Sequence, residues 1–340
     1  MRLSDFDFRL PEELIAQQPL ADRDAARMLV VDPMLGTFED RRFREFPEYL
    51  QPGDCVVVND TRVFPARLYG RREGFEGRVQ VFLIQPLEKD DLTWLCLVHP
   101  GKKIRSGERI TFGQGLSAEV LGRNEHGERV VRFHSMGDLF ERLDQLGHVP
   151  LPPYIQRPDS PDDRDRYQTV FARHRGSVAA PTAGLHFTSE ILERCPSVAR
   201  VTLHVGLGTF QPLHSEDLEQ VRLHAESFSI TESEAATMRG ASRLVAVGTT
   251  TVRTLETAML RGGIQAMREE TDLFIRPGFR FQATGSMLTN FHLPRSSLFI
   301  LVCAFAGREF TLAAYQHAIE SHYRFYSYGD CMLIRTRTAH

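Results

Sequence analysis

The chain has 340 residues, 42% of them hydrophobic and 25% charged, with a formal net charge of −3. That make-up is of an ordinary soluble globular protein, long enough for one large domain or two smaller ones, and it argues against a uniformly basic, non-specific nucleic-acid binder. The longest strongly apolar run, near Leu298–Ala306, is far too short to span a bilayer.

The N-terminus carries Asp5, Asp7, Glu12 and Glu13 and has no apolar signal core, so a cytoplasmic protein is expected. Gly53–Gly70 then reads as a buried strand, Cys55–Val58, followed by an Asn-Asp turn. From about Ala66 to Phe133 the pattern changes to short stretches of period-two alternation. These include GRVQVFLIQPL, LTWLCLVHP, ERITFG, LSAEVLG and ERVVRFH, separated by Gly, Asn, Asp and Pro. About six such strands predict a small antiparallel barrel. In GDLFERLDQLG the leucines at 139, 143 and 146 predict a helix, with Gly147 as its left-handed stop.

HVPLPPYI is an extended connector. Strands and helices alternate after it: a strand over Val198–His204, a helix through Met238 opened by a Thr231/Glu234 capping box, and a strand over Arg243–Val247. GTTTVRTLETAM opens another helix, LAAYQHAIESHYRF reads as helical, and Cys331–Ile334 is a last strand. The fold class is therefore α/β: a mixed α/β domain interrupted by an inserted small antiparallel β-barrel domain. The expected segments are 1–64 and 149–340 for the α/β domain and 65–148 for the barrel.

The five cysteines (Cys55, Cys96, Cys195, Cys303 and Cys331) are far apart and form no C-x-x-C, so reduced thiols are expected rather than disulfides or zinc ligands. Arg62, Arg67, Arg71, Arg72 and Arg78 crowd one stretch, and Arg41, Arg42 and Arg44 another. From charge alone they read as a solvated face; phosphate contacts are the sharper reading.

Five stretches combine small, polar and aromatic residues too densely for core alone. GSVAAPTAGLHFT holds Gly176, Gly184 and His186, a base or hydrogen-bond donor if not simply a loop histidine packed on Phe187. TLHVGLGTFQPL runs from His204 into Gly206, Gly208 and Thr209, a glycine-lined wall or a plain strand-end turn; it lacks the third glycine of a dinucleotide fingerprint. VAVGTTTVRTLE places Thr249, Thr250 and Thr251 in a first helical turn, suited to an anion or to simple capping. LTNFHLPRSSLF brings Asn290 and His292. YRFYSYGDCMLI brings Tyr323, Phe325, Tyr326 and Tyr328 as stacking faces and Asp330 as a carboxylate. A zinc triad of His186, His204 and His292 has no H-E-x-x-H or similar close pair behind it, and no metal site is expected.

In this order, and together with DFDFRLPEELIAQQP, RDAARMLVVD, GDCVVVNDTRVFPARL, GHVPLPPYI and DRDRYQTVFA, these motifs resemble the S-adenosylmethionine:tRNA ribosyltransferase-isomerase family of queuosine biosynthesis, nearly end to end. The resemblance implies transfer and isomerisation of the ribosyl unit of S-adenosylmethionine onto 7-aminomethyl-7-deazaguanine in the tRNA anticodon loop. Epoxyqueuosine forms, and adenine and methionine leave. S-adenosylmethionine is then a consumed substrate; no tightly bound cofactor, no metal and no membrane partner is implied, and a monomer is expected.

Within that resemblance, His186 or His204 is the expected base, and Asp330 is expected to hold the aminomethyl ammonium or to help steer its proton. Gly248, Thr249 and Thr250 are expected to take the methionine carboxylate, and Tyr328 or Phe187 to stack on adenine. Thr182, Gly184, Gly206, Gly208, Thr209, Arg253, Asn290 and His292 complete the expected substrate site, and Arg62, Arg67, Arg71 and Arg72 the tRNA contacts. The chain departs from the family pattern at Arg222 and Leu223, before His224 and Glu226, and at Gly285, where an aspartate is usual nearby. A methyltransferase would need a glycine-rich loop after the first strand, which Cys55–Asp60 does not supply. A non-catalytic RNA-binding module would leave the Gly, Thr and His stretches unexplained.

Overall fold

The computed structural model describes residues 1–87, 92–125, 127–206, 213 and 215–335. After three short 3-10 turns, strand β1 (Arg27–Asp32) returns as β2 (Thr37–Arg42). Asp32 Oδ1 closes that hairpin by accepting the Met34 and Leu35 N–H groups. Next come β3 (Asp54–Asn59), buried along its whole length, and β4 (Thr61–Val63).

The barrel consists of β5 (Arg67–Arg72), β6 (Arg78–Pro86), β7 (Thr93–His99), β8 (Arg109–Gly113), β9 (Leu116–Arg123) and β10 (Arg129–Ser135), closed in the order β10-β7-β6-β5-β8-β9. Period-two alternation turns Val79, Val81, Leu83, Trp94, Cys96, Ala118, Val120, Val131 and Phe133 inward. Helix α1 (Leu139–Leu146) adds Leu139 and Leu143 to that core, and Asp138 caps it through the Glu141 N–H. Gly147 ends α1, but for a different reason from the one expected. Its φ is −80°, outside the left-handed region. Glycine is needed because a Cβ would lie 2.2 Å from the Pro65 carbonyl oxygen.

The remaining elements are α2 (Asp163–Arg166), β11 (His174–Ser177), α3 (Ser189–Glu193), β12 (Val198–Leu203), β13 (Glu226–Ile230), α4 (Glu232–Arg239), β14 (Arg243–Val247), α5 (Thr249–Leu260), β15 (Met267–Thr271), β16 (Thr284–Asn290), α6 (Ser297–Ala306), α7 (Arg308–Glu320) and β17 (Cys331–Ile334). β4 and β11 pair in parallel as a separate ribbon. The large sheet runs β15-β13-β12-β3-β14-β16-β17-β1-β2, with β12, β3, β14 and β16 mutually parallel.

Because both faces of this sheet are covered, its central strands are continuous apolar runs. Cys55 and Val57 enter the core shared with Leu255, Phe299 and Tyr315; Val56 and Val58 enter a second core with Phe43, Phe46 and Phe187. At α4, Thr231 caps the Glu234 N–H as expected, but the Glu234 carboxylate turns away to accept the Arg200 N–H. The five thiols are free; all but that of Cys195 are buried. Among the described residues no single helix is long and apolar enough to cross a membrane.

Candidate active site

β14 ends at Val247, and Gly248 turns the chain into α5 with a φ of +87°, a conformation that glycine adopts without strain. The first-turn N–H groups of α5 therefore open at the carboxyl edge of the parallel strands, where α/β sheets bind ligands. A pocket of about 350 Å³ lies there. It brings together pieces of four motifs: Pro181–Ala183, Gly248–Thr250, Thr289–Ser296 and Tyr326–Ser327. Of the expected substrate residues, Thr182, Gly248, Thr249, Thr250, Asn290 and His292 line it.

His292 Nε2 lies 2.8 Å from Thr289 Oγ1, and that hydroxyl donates to the Asn290 carbonyl. Burial pushes the His292 pKa down to about 3, so the ring is neutral. The Tyr154 and Tyr326 rings pack at a 32° tilt with their centroids 4.2 Å apart and form one wall, and Tyr154 OH and Ser327 Oγ are 2.6 Å apart. Tyr326 sits at φ +72°, a left-handed conformation costly for an aromatic residue, and its buried hydroxyl has no partner among the described residues. Tyr154 carries no signal in the sequence, because its stretch is a proline-rich connector with no periodicity.

Other expected residues are placed elsewhere. His186 lies behind Asn290, with Nε2 3.2 Å from Asn290 Oδ1 and its ring against Phe43. Burial first, and then the Arg23 and Arg324 charges, lower its pKa to about 4. His204 lies outside the pocket, where Nδ1 is 2.8 Å from Thr61 Oγ1 and the ring covers Gly176, whose Cβ would meet it at 2.7 Å. Burial, then the neighbouring His174, lowers its pKa. Phe187 is fully buried between Phe43, Phe46 and Phe171, with no free face for a ligand. Gly184 is a packing glycine: a Cβ there would lie 2.7 Å from Phe171.

Tyr328 donates its hydroxyl to buried Asp163 at 2.7 Å. Asp330 uses its two oxygens to accept the Arg27 and Arg324 N–H groups, each at 2.8 Å. It thus ties down the turn that carries Tyr326 and Ser327 to the pocket. Gly208 and Thr209 lie outside the described residues.

Arg253 and Gly206 line a second cavity, of about 320 Å³, between the barrel and the sheet, which shares Leu298 with the first. Arg253 there forms a buried ion pair with Glu226 and also donates to the Leu273 and Thr271 carbonyls. Leu223 and His224 line the same cavity, whereas Arg222 is exposed and bonded to carbonyls of its own loop. Among the described residues no group of three His, Cys, Asp or Glu side chains is arranged to hold a metal.

The four arginines divide. Arg67 donates to the Leu151 carbonyl, and Arg72 is paired with Glu108 and lies over Phe75. Arg62 and Arg71 are exposed.

A sequence profile of the queuosine biosynthesis protein family matches residues 3–334. The chain belongs to the queuosine biosynthesis protein family. Within it, the S-adenosylmethionine:tRNA ribosyltransferase-isomerase of Solibacter usitatus is 59% identical, with 98% of this chain and 100% of that protein aligned. The protein of the same name from Syntrophotalea carbinolica is 50% identical over the same shares. The crystal structure of S-adenosylmethionine tRNA ribosyltransferase from Thermotoga maritima matches with a TM-score of 0.54 at 37% identity, over 97% of this chain and 99% of that one. The α/β sheet with a closed six-stranded barrel, expected from the sequence, is the fold observed.

Proposed function

We infer that this chain is an enzyme, an S-adenosylmethionine:tRNA ribosyltransferase-isomerase. It transfers and isomerises the ribosyl moiety of S-adenosylmethionine onto 7-aminomethyl-7-deazaguanine in the tRNA anticodon loop, giving epoxyqueuosine-tRNA, adenine and methionine. The observation that carries this is full-length identity of 59% to a protein of that name, with the shared motifs converging on one pocket.

The chemistry asks for a proton to leave the carbon beside the sulfonium, for adenine to depart, and for the aminomethyl nitrogen to bond to the sugar. In our reading S-adenosylmethionine occupies the pocket of about 350 Å³. The amides at Gly248–Thr250 receive its carboxylate, as helix N-termini receive anions. Thr182, Asn290 and His292 contact the rest. The Tyr154–Tyr326 wall takes over the stacking role expected of Phe187 or Tyr328, since these two are committed to the interior. Exposed Arg62 and Arg71 contact tRNA phosphates, whereas Arg67 and Arg72 stabilise the barrel.

The same reading makes the protein a cytoplasmic monomer that consumes S-adenosylmethionine and holds no resident cofactor. It also divides the chain into an α/β domain of 1–64 and 149–340 and a barrel domain of 65–148, which the closed barrel supports. The test is incubation of pure protein with S-adenosylmethionine and tRNA carrying 7-aminomethyl-7-deazaguanine. Adenine release with the epoxycyclopentane mass gain supports the reading. S-adenosylhomocysteine in its place points to a methyltransferase, and tRNA bound without turnover points to a binding module.

A further inference from the structure

We propose that His186 is a positioning residue: its Nε2–H holds the Asn290 amide, and that amide holds left-handed Tyr326 in the wall of the pocket. The inference rests on the reading of that pocket as the donor site.

The chain of contacts has one consistent direction. Asn290 Nδ2 donates to the Tyr326 carbonyl at 2.7 Å, so Asn290 Oδ1 is the atom facing His186. An acceptor there requires His186 to carry its proton on Nε2. The nitrogen nearest the pocket is therefore a donor already in use, not a lone pair ready to take a proton. Charge in the vicinity agrees: the Arg23 and Arg324 charges disfavour an imidazolium. A ring 4% exposed and packed on Phe43 has little freedom to turn its other nitrogen toward the ligand.

Tyr326 needs this support. A non-glycine residue at φ +72° persists only where its surroundings over-determine it. Its N–H donates to the Phe291 carbonyl at 3.1 Å, and its carbonyl accepts from both Asn290 Nδ2 and the Gly329 N–H. Of these three anchors only Asn290 is a side chain, and His186 tethers the far end of its amide. Without His186 the buried Asn290 Oδ1 loses that donor and the amide keeps one tether instead of two, so its grip on the Tyr326 carbonyl loosens. The Tyr326–Ser327 wall, with Tyr154 stacked on it, then loses its position.

The test compares three substitutions of one residue. The amide nitrogen of a glutamine falls near the place of histidine Nε2, whereas that of asparagine stops short of it. We expect H186L and H186N to lose about 100-fold in kcat/KM, the scale of a misplacement near 1 Å. H186Q should recover most of that loss and keep the wild-type pH profile. If H186Q is as inactive as H186L while S-adenosylmethionine still binds, the imidazole itself takes the proton and the proposal is overturned. An active H186L overturns it too.

A second measurement does not depend on turnover. Nitrogen-15 spectra of the free wild-type protein should show His186 protonated on Nε2 alone from pH 6 to pH 8. A proton on Nδ1, or titration within that range, overturns the proposal even if the enzyme is fully active. A wild-type protein that releases no adenine, yet shows the Nε2–H signal, contradicts the proposed function and leaves the His186–Asn290–Tyr326 arrangement standing.

Discussion

The Arg243 side chain runs directly across Gly285: a Cβ on Gly285 would lie 2.4 Å from Arg243 Cγ. Arg243 is held there by both carboxylate oxygens of buried Asp54 and by Ser286. Gly285 thus makes room for a cross-strand ion pair between β14 and β3. Gly285→Ala should cost about 1–3 kcal/mol through overpacking, and Gly285→Asp more, because it sets a second carboxylate beside the Asp54–Arg243 pair. Denaturant unfolding measures both; an unchanged midpoint for G285D means that the arginine stem moves aside freely.

Glu226 and Arg253 are both nearly inaccessible, with side chains 5% and 6% exposed. Removing one member leaves the other charge buried. Arg253→Met or Glu226→Leu should therefore destabilise the fold by about 3–5 kcal/mol, and the double variant R253M/E226L should lose less than the sum of the single losses. Strict additivity in a double-mutant cycle would mean that the pair is not coupled.

Two buried histidines set the acid response. Burial holds His186 at about 4 and His292 at about 3, below the unfolded value near 6.5. The unfolded state thus binds more protons below pH 6.5. The stability these neutral rings provide is complete above that pH and is lost as pH falls through the folded values. Between pH 6 and 4 each ring should contribute a slope of up to about 1.4 kcal/mol per pH unit. His292→Leu should flatten the curve; a slope identical to wild type rules out a buried neutral ring at that position.

The hydroxyl of Tyr326 is buried without a partner among the described residues. Its removal in Tyr326→Phe takes away a desolvated donor while leaving the Tyr154 stack in place. The free protein should be as stable as wild type, or more stable by up to about 1 kcal/mol. A thermal melt decides, and a large drop in Tm would show that the hydroxyl has a partner in solution.

Arg71 is exposed on the barrel, whereas Arg67 is tied to Leu151. If tRNA phosphates meet the barrel here, Arg71→Ala should lower the salt-dependence slope of tRNA binding by about one. Arg67→Ala should instead lower stability and leave the slope alone. Filter binding over a range of salt separates the two; equal slopes for wild type and R71A place the tRNA elsewhere.

The sequence alone determined the local structure and the family. Alternating residues with turn signals mark the barrel strands, and uninterrupted apolar runs mark β3, β14 and β17, because strand burial is written in residues two apart or side by side. The motifs near Pro181, Gly248 and Asn290 pointed to one site by their chemistry. What only the tertiary structure decided is which member of each motif reaches the ligand. His186 and Asn290 are separated by 104 positions and meet through the packing of the loop after β11 on the end of β16. Asp330 and Tyr328 sit in a motif that reaches the pocket, yet both are used to build it. Arg67 and Arg72 look like their neighbours Arg62 and Arg71 in sequence, and differ only in what the barrel places beside them. A side chain's role follows from its partners, and partners brought together by strand order leave no local pattern in the chain.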